Sequence, residues 1–173
     1  QNLKKPIFVM APMADVTDPA FRLLITKYGK PDVMWTEFVS ANGLNSKGRE
    51  VLKRDLEYSE IERPIVAQLF SSDPISMREA SKLCAELGFD GIDINMGCPD
   101  RSIMKQMCGA EMINHPDIAI KVIAAAKEGA PDLPISVKTR IGFNRPEIDT
   151  WIKTLLEQDI AVLSVHARTK KEM

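Results

Sequence analysis

The feature that most constrains the fold of this chain is a regular alternation of short apolar runs with amphipathic segments. Six runs of four to six residues stand at 7–10, 33–36, 65–70, 91–94, 135–138 and 161–165. They are continuously apolar more than alternating, which is typical of strands buried on both faces of a parallel sheet. The sequence therefore predicts six strand–helix alternations.

The segments between these runs carry signals of helix ends. Asp18-Pro19 and Asp73-Pro74 each place an N-cap before a proline in the first turn, and Gly29 and Gly88 stand where C-terminal caps belong. A third helix is predicted from 116 to 128, and a fourth precedes the last strand. The apolar faces predicted for the first and fourth helices consist of Phe21, Leu24, Ile25 and Tyr28, and of Ile148, Trp151, Ile152, Leu155 and Leu156.

Two folds accommodate this alternation, an open doubly wound sheet and a (β/α)8 barrel. Four polar residues favour the barrel, because each stands at or just beyond the carboxyl end of a different strand: Gln68, Asn95, Lys138 and His166. In a barrel these ends surround one mouth, whereas an open sheet concentrates its ligand residues at one switch point. The first run is also not followed by GxGxxG. We therefore predict an α/β protein with the TIM-barrel fold.

A TIM barrel has eight strand–helix units, and six strands are visible in the 173 residues. We interpret residues 1–173 as one partial barrel domain, truncated after strand 6. Strands 7 and 8, whose loops usually hold phosphate groups in such barrels, are then absent from the sequence.

The composition excludes several classes of site. Three cysteines at irregular spacing, without a CxxC pair, and two histidines predict neither a disulfide framework nor a metal site. No run reaches the roughly 20 apolar residues that span a bilayer, and the first residues lack a signal-peptide pattern. Free thiols in such a chain indicate a reducing compartment, so we expect a cytoplasmic protein. A net charge of −1 neither favours nor excludes a nucleic-acid partner.

Cys98 is the candidate functional thiol. It follows a buried strand and lies between a glycine and a proline, in a tight turn and not on a helix face. Cys84 lies on the apolar stripe of a predicted helix, and we expect it to be a small buried hydrophobe. Cys108 is also expected to be structural. The turn position by itself leaves Cys98 open to more than one role, including nucleophile and proton donor.

The polar residues at the strand ends admit more than one use. Lys138 suits an anionic cofactor oxygen or a Schiff base, although such a side chain can also extend to solvent. His166 is either a functional group of the mouth or a hydrogen-bonded core histidine. Gln68, if buried, must have its amide hydrogen-bonded, and the edge of a heterocyclic ring is one natural partner.

Six segments, in order along nearly the whole chain, resemble the motifs of the dihydrouridine synthases, flavin enzymes that reduce uridine in tRNA. They are APMADVTD (11–18), TEFVSA (36–41), QLFSSDP (68–74), DINMGCP (93–99), VKTRIG (137–142) and VHART (165–169). The resemblance implies a TIM barrel that binds FMN, takes its reducing equivalents from NADPH and acts on tRNA. It also implies a C-terminal helical domain, beyond residue 173, that helps to hold tRNA.

The resemblance implies that five residues contact FMN around its ring. Pro12, Met13 and Ala14 would pack against the ring system and hydrogen-bond it through backbone groups. Gln68 and Lys138 would contact its polar edge, with Lys138 favouring the negative charge of the reduced ring near N1. His166 would lie beside the ring.

Further roles concern the substrate. Asn95 would help to position flavin or uridine, and Cys98 would give a proton to C5 of uracil while a hydride reaches C6. An unperturbed thiol, with a pKa of about 8.5, is mostly protonated at neutral pH, which favours the proton donor over the nucleophile. Basic residues in the loops after strands 4, 5 and 6 would suit RNA phosphates, namely Arg140 and Arg168 together with Arg101, Lys105, Arg145, Lys170 and Lys171. The target uridine would have to leave its stack to reach the ring.

The sequence departs from the usual motifs at two places. Asp15 replaces a frequent glycine of the opening motif, and Cys108 and Glu111 stand where small residues are usual. Three other functions stay open: a flavin barrel that acts on a free pyrimidine, as dihydroorotate-type dehydrogenases do, a Schiff-base lyase that uses Lys138, and a non-catalytic RNA-binding remnant. We expect tRNA as the partner, no membrane or metal, and a monomer.

Overall fold

In the computed structural model, which describes residues 5–173, the centre of the fold is one sheet of five parallel strands. The strands are β1 (Met34–Ser40), β2 (Ile65–Phe70), β3 (Gly91–Met96), β4 (Ile135–Arg140) and β5 (Val162–His166). Their order in the sheet is their order in the chain. A doubly wound sheet reverses its strand order at a switch point, so this order agrees with part of a TIM barrel and not with the open alternative.

Helices and shorter helical turns connect the strands. The helices are α1 (Pro19–Gly29), α2 (Ala41–Leu44), α3 (Arg49–Leu52), α4 (Pro74–Glu86), α5 (Arg101–Met104), α6 (Pro116–Gly129) and α7 (Lys153–Leu156). The turns of 3₁₀ type are Lys53–Leu56, Glu60–Glu62 and Gly109–Asn114, and a π-helical turn, Ile148–Ile152, leads into α7. No helix within residues 5–173 has the length and apolar character needed to cross a membrane.

The strand predicted at 7–10 is wrong. This segment forms a single parallel bridge between Val9 and Val33, supported by a hydrogen bond from Met10 N to Val33 O (3.3 Å). Phe8 and Val9 are 68% and 48% exposed. Among the described residues the segment pairs with a neighbouring segment on one side only, and that pairing is a single bridge. The other five runs are strands, within a few residues of the predicted ends.

The predicted ends of the three long helices are confirmed. Asp18 accepts a hydrogen bond from Phe21 N (2.7 Å) at the start of α1, and Asp73 accepts one from Ser76 N (3.0 Å) at the start of α4. Each aspartate satisfies a first-turn amide that has no partner within its helix. Gly88, after α4, has a φ of 81°, a left-handed conformation that glycine adopts without steric cost.

The buried face predicted for α1 is partly wrong. Leu24 and Tyr28 are exposed, whereas Arg22 is fully buried. The guanidinium of Arg22 binds Glu62 (Nε to Oε2 2.6 Å) and the carbonyl of Thr17 (2.8 Å). A buried charge is tolerated only with such partners. These contacts orient α1 with Arg22 toward the interior. Part of the apolar face that the periodicity predicts is therefore exposed.

The face predicted for the fourth helix is also confirmed only in part. Trp151 and Leu155 are buried, but Ile148 and Leu156 are exposed. The segment begins as a π-helical turn, whose wider winding changes which residues share a face. Trp151 is fixed by a hydrogen bond from its Nε1 to Oγ1 of Thr139 on β4 (2.9 Å).

The sheet separates an apolar layer from a polar one. Ile92 and Ile94 of β3 are fully buried in the core that includes Met77 of α4 and Ile123 of α6. Burial of each such side chain contributes about 1.5–3 kcal/mol. The alternate strand positions face the other side, where polar side chains contact one another: Gln68, Asp93, Asn95 and Ser136. These residues lead to the carboxyl ends of the strands.

Candidate active site

A cleft of about 170 Å³ opens at the carboxyl ends of β2, β3, β4 and β5. Its lining consists of Pro12, Phe38, Gln68, Asn95, Gly97, Cys98, Pro99, Lys138, Thr139, Arg140 and His166. The prediction that these strand ends surround one mouth is confirmed, because the polar residues of four separate strand ends line the same cleft. Ligand pockets usually measure roughly 300–1,000 Å³, so the cleft that residues 5–173 form is smaller than most.

A larger cavity, of about 600 Å³, lies at the amino ends of the strands. Its walls are largely apolar and include Val9, Trp35, Val66 and Val162. Active sites of TIM barrels lie at the carboxyl ends of the strands. The smaller cleft is therefore the candidate site, despite its size.

Three of the residues singled out from the sequence lie outside the lining of the cleft. Met13 and Ala14 are exposed in the loop that follows Pro12, and Arg168 is exposed beyond β5. Met13 is fixed by Thr17, whose Oγ1 accepts a hydrogen bond from Met13 N (3.1 Å). The loop is thus ordered next to the cleft.

Asp15 belongs to the same loop and has a φ of 57°. This left-handed conformation suits glycine, and aspartate tolerates it better than most other residues do. The backbone N–H of Asp15 donates to Oε1 of Glu37, in the middle of β1. Burial raises the pKa of that Glu37 carboxyl. Asp15 can therefore occupy a position where the motif usually has glycine.

The turn that carries Cys98 is held from two sides. Asn95 Oδ1 accepts hydrogen bonds from Gly97 N (3.1 Å) and Cys98 N (3.0 Å), and the carbonyl of Cys98 accepts one from Ala110 N (2.8 Å). Gly109 approaches so closely that a Cβ there would lie 2.5 Å from the Cys98 carbonyl oxygen, at a φ of 60°. The position of the thiol is therefore set by the Asn95 side chain and by the backbone of Gly109 and Ala110, which both contact the backbone of the turn.

The three cysteines differ in their surroundings. Cys98 is half-buried in the cleft, whereas Cys84 and Cys108 are 0% and 2% exposed. Burial raises the pKa of Cys84 to about 12. Burial also raises the pKa of the Cys98 thiol. A hydrogen bond from the backbone of Asp100 opposes this, as do Arg140 and Lys138, while the charge of the Asp100 carboxylate adds to it. Cys98 is therefore a protonated thiol at neutral pH, as a proton donor has to be.

Lys138 provides a cation with no acceptor of its own. It is half-buried, and among the described residues its Nζ has no hydrogen-bond or ion-pair partner. Burial lowers the pKa of Lys138, while the nearby Asp93 carboxylate opposes that change. An ammonium in this state gains most from an anionic ligand in the cleft. The residues present thus fit a cofactor that carries negative charge at the edge facing Lys138.

Arg140 and His166 complete the basic side of the cleft. Arg140 Nε donates to the Gly97 carbonyl (2.8 Å), and its NH1 donates to the Thr169 carbonyl (3.2 Å). It therefore ties the Cys98 turn to the loop after β5. Burial lowers the pKa of His166, as do the neighbouring cations Arg140 and Lys138. His166 is therefore neutral at physiological pH.

Sequence reasoning missed the buried carboxylate of Asp93, which stands two residues before Asn95 on β3. It is fully buried and accepts hydrogen bonds from Gln68 Nε2 (2.6 Å) and Ser136 Oγ (2.6 Å). Burial raises its pKa to about 6. A charged residue in the middle of the apolar run at 91–94 was the available signal. Among residues 5–173, no cluster of His, Cys, Asp and Glu is arranged to hold a metal ion.

Comparison with known proteins agrees with this geometry. Residues 9–173 match the family described as Dihydrouridine synthase (Dus). The chain is 44% identical over 176 residues to a probable tRNA-dihydrouridine synthase of Staphylococcus aureus (strain COL), a match that covers 99% of this chain and 52% of that protein. It is 43% identical over 175 residues to a probable tRNA-dihydrouridine synthase 2 of Bacillus subtilis (strain 168), covering 100% and 53%. The chain thus spans about half the length of the curated relatives it matches.

Proposed function

The chain belongs to the dihydrouridine synthase family, and from that premise we propose that its cleft reduces the C5–C6 double bond of uridine in tRNA. The observation that carries the proposal is that the Cys98 thiol and the unpaired Lys138 ammonium line one cleft at the carboxyl ends of the strands. Bound FMN, reduced by NADPH, would supply the hydride for C6 of uracil. The Cys98 thiol gives its proton to C5, and the thiolate is then reprotonated from solvent.

Cys98 has the properties that this step requires. Before the transfer, burial keeps the proton on sulfur. After the transfer the sulfur carries a negative charge, which the cations Lys138 and Arg140 favour. The hydrogen bonds from Gly97 N and Cys98 N to Asn95 fix the turn, so the thiol does not have to be ordered in each catalytic cycle.

We assign the flavin to the side of the cleft that Pro12, Gln68, Lys138 and His166 line. Lys138 Nζ would stabilise the negative charge of the reduced ring near N1, since it has no other acceptor among the described residues. The neutral His166 would lie beside the ring without adding charge. Met13 and Ala14 are exposed next to Pro12 and would provide further contacts to the ring.

The tRNA is proposed to approach from the basic face around the cleft. Arg101, Lys105, Arg145, Arg168 and Lys171 are exposed in the loops after β3, β4 and β5. Side chains of this kind bind phosphates without reading the base sequence. Asn95 and Arg140 would hold the turn against which the flipped uridine packs. We place the reaction in the cytoplasm and expect a monomer.

The proposal is tested first with the gene product at its natural length. It should purify with FMN, and deletion of the gene should remove dihydrouridine from one or more positions of cellular tRNA. A protein that neither contains flavin nor takes it up would refute the proposal and favour a lyase or an RNA-binding remnant. Turnover of free uridine monophosphate as fast as tRNA would favour a free-pyrimidine enzyme.

The role of Cys98 is tested with the Cys98→Ala variant. NADPH-dependent reduction of the flavin should continue, because the thiol takes no part in it, whereas formation of dihydrouridine should be lost. Cys84→Ala is the matched control, since that thiol is fully buried behind the sheet. Formation of dihydrouridine by Cys98→Ala at the normal rate would show that another group is the acid.

A further inference from the structure

Asp93 is a fully buried carboxylate that the proposed reaction does not use. A chain of hydrogen bonds connects it to the catalytic turn. Asp93 Oδ2 accepts from Gln68 Nε2 (2.6 Å), Gln68 Oε1 accepts from Asn95 Nδ2 (3.2 Å), and Asn95 Oδ1 accepts from Gly97 N and Cys98 N. The chain crosses from β3 to β2, returns to β3 and ends at the thiol turn.

The groups at the two ends of this series of hydrogen bonds allow only one orientation of the two side-chain amides between them. An ionised carboxylate is an acceptor only, so Gln68 has to turn its NH2 group toward Asp93 and its carbonyl oxygen toward Asn95. Backbone amides are donors only, so Asn95 has to turn its carbonyl oxygen toward the turn and its NH2 group toward Gln68. Both requirements agree. If Gln68 and Asn95 were reversed, an NH2 group would face the two backbone N–H groups, and their hydrogen bonds would be lost.

We propose that Asp93 is a positioning residue for Cys98, which sets the direction of the Gln68 and Asn95 amides and thereby holds the turn that carries the thiol. What the thiol does there rests on the proposed function, whereas the hydrogen-bond chain does not. At neutral pH the carboxylate is ionised, since burial raises its pKa only to about 6. Lys138, on β4, is the charged neighbour that favours this ionised form.

Ser136 fixes the other oxygen of Asp93. Its hydroxyl donates to Asp93 Oδ1 (2.6 Å), and its Oγ also lies 3.3 Å from the carbonyl oxygen of Ile92. In Asp93→Asn the hydroxyl can donate to Ile92 and accept from the new amide, so the amide oxygen still faces Gln68. In Asp93→Asn/Ser136→Ala this partner is gone. The amide can then turn its NH2 group toward Gln68 and reverse the chain.

The experiment therefore compares Asp93→Asn, Ser136→Ala and the double variant in the gene product at its natural length. One readout is alkylation of Cys98 by iodoacetamide in the flavin-free protein, followed by mass spectrometry. The two single variants should change the rate by no more than a few-fold, whereas the double variant should increase it about tenfold, because two turn hydrogen bonds are lost together. In the holoenzyme, kcat for dihydrouridine formation should fall about tenfold in the double variant, while KM for tRNA stays unchanged.

A second pair of variants tests the same path if the double variant does not fold. Gln68→Met removes both polar atoms of the middle residue, so Asp93→Asn should have no further effect on Cys98 alkylation in that background. Asp117→Asn, which removes an exposed carboxylate on α6, is the control and should leave alkylation and turnover unchanged.

Two results would overturn the inference. One is a double variant whose alkylation rate and kcat equal the product of the single effects. The other is an effect of Asp93→Asn on Cys98 that persists undiminished in Gln68→Met. Failure of the proposed function has a different signature, because the unaltered protein would then form no dihydrouridine, while the alkylation results would still decide whether Asp93 controls the turn.

Discussion

Asp93→Asn should gain stability relative to the unaltered protein as the pH rises from acid to neutral. In the folded protein, burial raises the pKa of Asp93 from its usual 3.8 to about 6. Below 3.8 the carboxyl is protonated in both the folded and the unfolded chain, so its ionisation contributes nothing. As the pH rises toward 6, the unfolded chain ionises first and is favoured. Above 6, the folded protein carries the full cost of the buried charge.

The magnitude follows from the pKa difference. A rise from 3.8 to about 6, at ~1.4 kcal/mol per pKa unit, corresponds to ~3 kcal/mol of lost stability. About 2 kcal/mol of this loss falls between about pH 4.5 and about pH 7.5. The neutral amide of Asp93→Asn has no such titration, so the variant should gain about that much relative to the unaltered protein over the same interval.

The measurement is urea unfolding of both proteins at several pH values across this interval. Any constant effect of the substitution cancels, because the prediction concerns only the change of the difference with pH. Asp117→Asn, at an exposed site, provides the control and should show a nearly flat difference. The contrary result is that the free energies of unfolding of Asp93→Asn and of the unaltered protein differ by an amount that stays constant within ~0.5 kcal/mol across this interval. That result would refute the reasoning, since Asp93 would then ionise as it does in the unfolded chain.

Three further outcomes are expected. Glu62→Gln leaves the fully buried Arg22 without its counter-charge and should cost about 3–5 kcal/mol in urea unfolding; a loss below ~1 kcal/mol would contradict the pairing. Gly109→Ala places a Cβ 2.5 Å from the Cys98 carbonyl oxygen at a φ of 60°, so it should cost at least ~1–3 kcal/mol and speed alkylation of Cys98; unchanged stability would contradict the close approach. In the native protein, iodoacetamide should modify Cys98 well before the fully buried Cys84, and equal rates by mass spectrometry would contradict the burial.

The sequence predicted the mouth of the barrel because its residues differ in polarity or in local conformation from the apolar strands that they follow. Gln68, Lys138 and His166 are polar groups at the ends of apolar strands, and Cys98 stands in a turn between a glycine and a proline. These are local features that a single sequence displays. The order of the strands also followed from the pattern, since the alternation and the separate strand ends indicate a barrel.

The features that the sequence did not predict depend on partners far along the chain. Arg22 is buried because Glu62, 40 residues later, neutralises it, which the apolar periodicity of α1 does not register. Asp93 is part of the polar side of the sheet because Gln68 and Ser136 lie beside it on neighbouring strands, 25 and 43 residues away. Such pairings require the register of the sheet, which periodicity alone leaves undetermined.

The row formed by Gln68, Asp93 and Ser136 also discriminates against misaligned sheets. The three residues lie opposite one another in the parallel register of β2, β3 and β4. Because side chains alternate between the two faces, a shift of β3 by one residue would turn Asp93 into the apolar layer beneath the helices, where it has no donor. An isolated buried charge costs more than the loss of several apolar contacts. The Asp93 carboxylate, which holds the thiol turn, therefore also disfavours misaligned strands during folding.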